Sequence, residues 1–94
     1  MQDFICRHLF IRGKVQGVYY RASAQSAAVA NGLTGWVRNR RDGSVEAVVS
    51  GPLGAVQAFI EWAYQGPPEA RVEDIEIEDA DASDLTGFEF RATL

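Results

Sequence analysis

Ninety-four residues suffice for one domain with a modest core, and 47% hydrophobic residues beside 23% charged ones are ordinary for a soluble globular chain. A net charge of −4 argues against nucleic acid as partner, no apolar run approaches the ~20 residues that span a bilayer, and one cysteine excludes an internal disulfide or a cysteine zinc cluster. The amino-terminal residues lack a signal-peptide layout, so the expected location is the cytoplasm.

Ile5 to Arg12 alternates as a strand, with Ile5, Leu9 and Ile11 on one face and His8 and Phe10 on the other. Cys6 reads as a small packed hydrophobe and His8 as a sheet-surface residue. After a glycine-bounded turn, Arg21 through Asn31 reads as a helix. Its stripe of Tyr20, Ala24, Ala27, Ala28 and Asn31 is small enough to seat the helix close to a sheet. Asn31-Gly32 supplies a left-handed stop, with Leu33 as the apolar cap contact.

Leu33 to Asn39 is the second predicted strand. Asp42-Gly43 signals a hairpin into a third, Ser44 to Ser50. Gly51-Pro52 breaks that strand and opens a second helix ending near Gln65, with Val56, Phe59, Ile60 and Ala63 as its buried stripe and Gly66-Pro67-Pro68 as its stop. Trp62 lies off the stripe and is expected to cover an edge of the core. Arg71 to Glu78 reads as a half-exposed strand with an acidic outer face. Asp79 to Asp84 follows as an acidic loop, and Gly87 to Thr93 as a short last strand.

The order β-α-β-β-α-β plus a terminal strand predicts an α+β fold of the ferredoxin-like, split β-α-β kind, with two helices on one face of a mostly antiparallel sheet. The expected domain is single, covering residues 1–94. In this topology the first two strands run parallel on either side of the third. Gly13 and Asn39 therefore end at the same rim, beside the first turn of the first helix. The pairing position of the terminal strand is left open.

Between that first strand and helix stands Gly13-Lys14-Val15-Gln16-Gly17-Val18-Tyr19-Tyr20-Arg21. Strand, glycine loop and helix start let backbone N–H groups converge on an anion, and the planar fork of Arg21 can grip two phosphate oxygens. The loop lacks the spacer and the Ser or Thr of a Walker A motif, and no dinucleotide fingerprint occurs. Most strand-to-helix turns bind nothing, however, and Arg21 and Asn39 taken singly could be a surface arginine and a turn residue. Gln16 reads equally as a loop brace or a substrate contact. Charge adds a local argument: residues 1–41 carry seven basic side chains against one acidic, and from Asp42 onward two stand against twelve. A basic first half can focus a small anion, although solvated faces account for most such charges. Arg38, Arg40 and Arg41 belong to that class, with at most a role in drawing in anions.

The glycine stretch resembles the acylphosphatase signature G-[RK]-V-Q-G-V-x-[FY]-R. Gly35-Trp36-Val37-Arg38-Asn39-Arg40-Arg41-Asp42-Gly43-Ser44-Val45-Glu46 is similar to that family's G-x-V-x-N-x-x-D-G-x-V-E. The likeness covers nearly the whole chain. It implies hydrolysis of the carboxyl–phosphate bond of acyl phosphates without metal or cofactor, with Arg21 and Asn39 catalytic. Phosphate would be held by Gly13, Lys14, Val15, Gln16, Gly17, Val18 and Arg21. A carboxylate leaving group needs little protonation, so positioning and charge suffice: the loop and Arg21 hold the phosphoryl oxygens, and the Asn39 carbonyl oxygen aims a water in line. A monomer is expected, with inorganic phosphate as product and inhibitor. The competing reading is a binding module on the same fold, but neither an RNA-binding strand motif nor a Cys-x-x-Cys loop is present. A third is a stand-alone relative of the acylphosphatase-like domains that process carbamoyl phosphate in larger maturation proteins.

Overall fold

Alternation and helical spacing build the elements in the expected order. The computed structural model describes residues 3–81 and 85–94. Strand β1 (Phe4–Lys14) leads to helix α1 (Tyr20–Ala30), followed by β2 (Thr34–Asn39), β3 (Val45–Pro52), α2 (Leu53–Gln65), β4 (Arg71–Asp79) and β5 (Phe88–Phe90). The strands lie in the order β4-β1-β3-β2-β5. β1 pairs antiparallel with β3 and β4, and β2 pairs antiparallel with β3. β5 runs parallel to β2, with Gly35 opposite Phe88 and Val37 opposite Phe90.

Several boundaries differ from expectation. Gly51-Pro52 does not break β3, which runs on to Pro52 because Ile5 and Phe4 of β1 pair with those two residues. β1 continues to Lys14, because β4 pairs with it past a bulge at Arg12/Gly13. There Gly13 takes φ 129, and a Cβ would sit 2.1 Å from the Arg71 carbonyl oxygen, so only glycine admits β4 this close. Asp79 ends β4 instead of opening the acidic loop, and 82–84 of that loop lie outside the described residues. The last strand keeps only three residues of the expected run.

Both helices cover one face of the sheet. Leu9, Ile11, Val37, Val45, Ala47 and Val49 meet Ala24, Ala28, Val56, Phe59 and Ala63 in one core. Each large side chain buried there contributes about 1.5–3 kcal/mol. The Tyr20 hydroxyl donates to the Ala63 carbonyl oxygen at 2.7 Å, tying the start of α1 to α2. Burial pushes its phenol well above the usual range, so it stays a donor. Trp62 packs at the core edge, 5.3 Å from Tyr20 and 5.7 Å from Phe59 between ring centroids. α1 closes as expected: Leu33 N–H bonds to Ala28 O and Gly32 N–H to Val29 O, the paired bonds of a Schellman stop.

The other face is covered by side chains. Cys6, Trp36 and Val48 form a small buried cluster, and the Arg38 and Arg91 guanidinium groups lie 4.8 and 4.6 Å from the Trp36 ring. β3 is thus buried on both sides. With β1 and β2 parallel on either side of it, Lys14 and Asn39 finish at one rim, where α1 begins.

Candidate active site

A pocket of about 300 Å³ opens at that rim, lined by Val15, Gln16, Gly17, Tyr19, Tyr20, Arg21 and Asn39. A wider groove of about 580 Å³ lies at the far end of the sheet, along Phe4, Ile5, Cys6, Ser50 and Asp79 to Asp81. Volume favours the groove; chemistry favours the rim, for three reasons.

The first is a run of free donors. Among the described residues, no backbone N–H from Val15 through Ala22 meets a backbone acceptor, and the first bond of α1 is Ser23 N–H to Tyr19 O at 3.1 Å. Tyr19 stands at the N-cap in the left-handed region (φ 65, ψ 25), without a capping side-chain bond, and no acidic residue occupies the first turn. Gly17 has φ 75 and so turns the loop amides back on themselves. The positive end of α1 is therefore open to an anion.

The second is Arg21. It has no ion pair or hydrogen bond among the described residues; its guanidinium lies 5.6 Å from the Phe90 ring. Its fork remains available for a bidentate contact. The third is Asn39, whose Oδ1 is buried with no hydrogen-bond partner among the described residues. Buried acceptors are nearly always satisfied, so an orphan at a pocket wall marks a place for a donor from a ligand or water.

Five of the expected site residues line the pocket together: Val15, Gln16, Gly17, Arg21 and Asn39. Gly13 and Lys14 belong to the end of β1, and Val18 points into the core, as does the Val15 side chain. Those two valines pin the loop from beneath. Gln16 braces it: Nε2 donates to the Arg40 and Ser44 carbonyl oxygens at 2.7 and 2.9 Å, stapling the loop to the β2–β3 hairpin. In that hairpin Asp42 accepts from the Ser44 backbone N–H and hydroxyl, a turn role as expected. Tyr19 and Tyr20 line the pocket without having been anticipated; Tyr20 carried only a helix-stripe signal and Tyr19 none.

The acylphosphatase family model matches residues 7–90. The chain belongs to the acylphosphatase family. It is 59% identical to an acylphosphatase of Acidovorax sp. (strain JS42) over 96% of its length and 93% of that protein's. Among solved structures, an acylphosphatase from Coxiella burnetii superposes with a TM-score of 0.90 at 37% identity, covering 95% of this chain and 94% of that one. That of Bacillus subtilis superposes with 0.89 at 34%, covering 93% and 98%. The chain is accordingly a hydrolase that cleaves the carboxyl–phosphate bond of acyl phosphates with water as nucleophile.

In this acylphosphatase much of the basic first half is already engaged. Arg7 pairs with Asp79, and Arg12 with Asp74 and Glu76. Arg38 and Arg40 are not solvated as expected: both bind one oxygen of buried Glu46, at 2.7 and 2.8 Å, while His8 holds the other at 2.5 Å. Burial would raise the Glu46 carboxyl, but these three bonds outweigh it and hold it below its ordinary value. Lys14, Arg21 and Arg41 are left without acidic partners among the described residues, and of these Arg21 lines the pocket.

Proposed function

We propose that Arg21 and Asn39 are the catalytic residues of this acylphosphatase, and that residues 13–18 form its phosphate cradle. The loop amides and the Arg21 fork take the phosphoryl oxygens, and a water donates to Asn39 Oδ1 and is aimed at phosphorus. Gly13 shapes the strand end that presents the loop, and Lys14 adds positive charge beside it. As the water oxygen bonds to phosphorus, the bond to the carboxyl oxygen breaks and its electron pair leaves with the carboxylate. None of the side chains lining the pocket is a carboxylate, histidine or thiol. The proton of the attacking water therefore passes to a phosphoryl oxygen, which suits a loose transition state with little demand for a base.

The observation that carries this assignment is the orphaned Asn39 Oδ1 beside an unengaged arginine and free amides. The same donor set argues for metal independence: N–H groups and a guanidinium attract anions, whereas a hard cation requires oxygen ligands. We further propose a single domain over 1–94, acting as a monomer in the cytoplasm. No helix among the described residues is long and apolar enough to cross a membrane.

The deciding experiment is hydrolysis of benzoyl phosphate by the purified protein in EDTA with inorganic phosphate titrated in. Turnover unaffected by EDTA and competitive inhibition by phosphate are expected. Loss of activity in EDTA, or purely noncompetitive inhibition, would remove the metal-free cradle.

A further inference from the structure

The phosphoryl group accounts for the amides, Arg21 and Asn39, but not for Tyr19. Its side chain is 79% exposed although it lines the pocket. Tyr19 is also the one non-glycine among the described residues with positive φ. A tyrosine in the left-handed region costs about 1–3 kcal/mol of strain, and glycine would make the same turn without it. Burial usually offsets such strain, but here the ring faces solvent at the mouth of the site. The turn explains the backbone, then, and leaves the ring unexplained.

Substrate geometry supplies a use for it. In-line attack places the leaving carboxylate on the side of phosphorus away from the water, so the acyl chain must project out of the cradle. Among the other lining residues, Val15 is buried beneath the loop, and Tyr20 is buried with its hydroxyl bonded to Ala63. Gln16 is bonded to the hairpin, Gly17 has no side chain, and Arg21 and Asn39 are assigned above to the phosphoryl group and the water. Of the residues lining the pocket, Tyr19 is the one that offers a broad accessible apolar surface to the emerging acyl group. We infer that the Tyr19 ring is the acyl-group contact of this enzyme and biases it toward acyl phosphates with flat or aromatic acyl groups over small aliphatic ones.

This rests on the site reading above, and the test separates the two. kcat/KM would be measured for benzoyl phosphate and acetyl phosphate with the parent, Tyr19→Gly, Tyr19→Asn, Tyr19→Phe and Arg21→Ala. Gly and Asn tolerate the left-handed backbone and lose the ring; Phe keeps the ring and loses only the hydroxyl. The ratio of benzoyl to acetyl kcat/KM should fall roughly three- to tenfold in Tyr19→Gly and Tyr19→Asn, the size of an aromatic contact, and hold in Tyr19→Phe. An unchanged ratio in Tyr19→Gly and Tyr19→Asn, even with both rates reduced, would overturn the inference and leave Tyr19 a turn residue. An inactive Arg21→Ala beside that result would leave the cradle standing; an active one would remove the cradle as well.

Discussion

Two polar clusters sit back to back across the end of the β2–β3 pair, and they differ in how completely they are satisfied. On the open face, Glu46 is 3% exposed and takes three partners on its two oxygens, from Arg38, Arg40 and His8. On the helix face, Asn39 lies between those two arginines in sequence, yet among the described residues its Oδ1 has no partner and Arg21 nearby pairs with no carboxylate. A saturated cluster lowers the energy of the fold; an unsatisfied one keeps its desolvation cost until something binds. The presence of arginine does not distinguish them, since each cluster contains it. Satisfaction does.

That contrast can be broken most directly at Arg21. Arg21→Ala should lower kcat for benzoyl phosphate by about 10³-fold or more while Tm stays close to the parent's, because Arg21 stabilises charge in the transition state and little in the fold. Near-normal turnover would end the distinction. Asn39→Ala should cost roughly 10²- to 10³-fold in kcat, the usual effect of losing one positioning group, with stability held or slightly raised as the buried orphan oxygen disappears. A Tm drop matching the loss of rate would instead mark Asn39 as structural.

Glu46→Gln should behave in the opposite sense. Breaking a fully buried ion pair costs about 3–5 kcal/mol; here the arginine side chains are 20% and 30% exposed, so about 1–3 kcal/mol is expected in urea unfolding. The rate should fall far less than in Arg21→Ala. The sign with pH follows from the depressed carboxyl. Glu46 contributes its stability above its ordinary value of 4.5, and that contribution is lost as pH falls through the lower folded value. The Tm gap between parent and Glu46→Gln should be full at neutral pH and close in acid, and a gap that is constant down to pH ~3 would contradict the assignment. The smallest effect belongs to the brace joining the two sides. Gln16→Ala removes two hydrogen bonds to carbonyl oxygens, for about 1–2 kcal/mol of stability. Its rate loss should be roughly tenfold, from a loosened cradle, and inorganic phosphate should inhibit more weakly.

The parts of this enzyme that were legible in its residues are those set by local rules. Period-two alternation marks β1 and β4, the stripes at Tyr20 and Val56 mark both helices, and Asn31-Gly32 and Asp42-Gly43 mark where the chain turns. From the order of these elements came the parallel run of β1 and β2, and with it a common rim for the glycine loop, Arg21 and Asn39. What escaped notice depends on partners brought together across the sheet. Gln16 was ambiguous because its two acceptors lie 24 and 28 residues away. Arg38 and Arg40 looked solvated because Glu46 reaches them only through the β2–β3 register, and His8 only from across β3.

Sequence by itself determined the element order, the family and the end of the sheet where chemistry is possible, since spacing, turn residues and strand direction are properties of short stretches and their succession. Tertiary structure alone decided the place of β5 beside β2, which arginines are held by carboxylates, and which polar atoms are left without partners. Those are outcomes of register and burial, and both exist only once distant segments have packed.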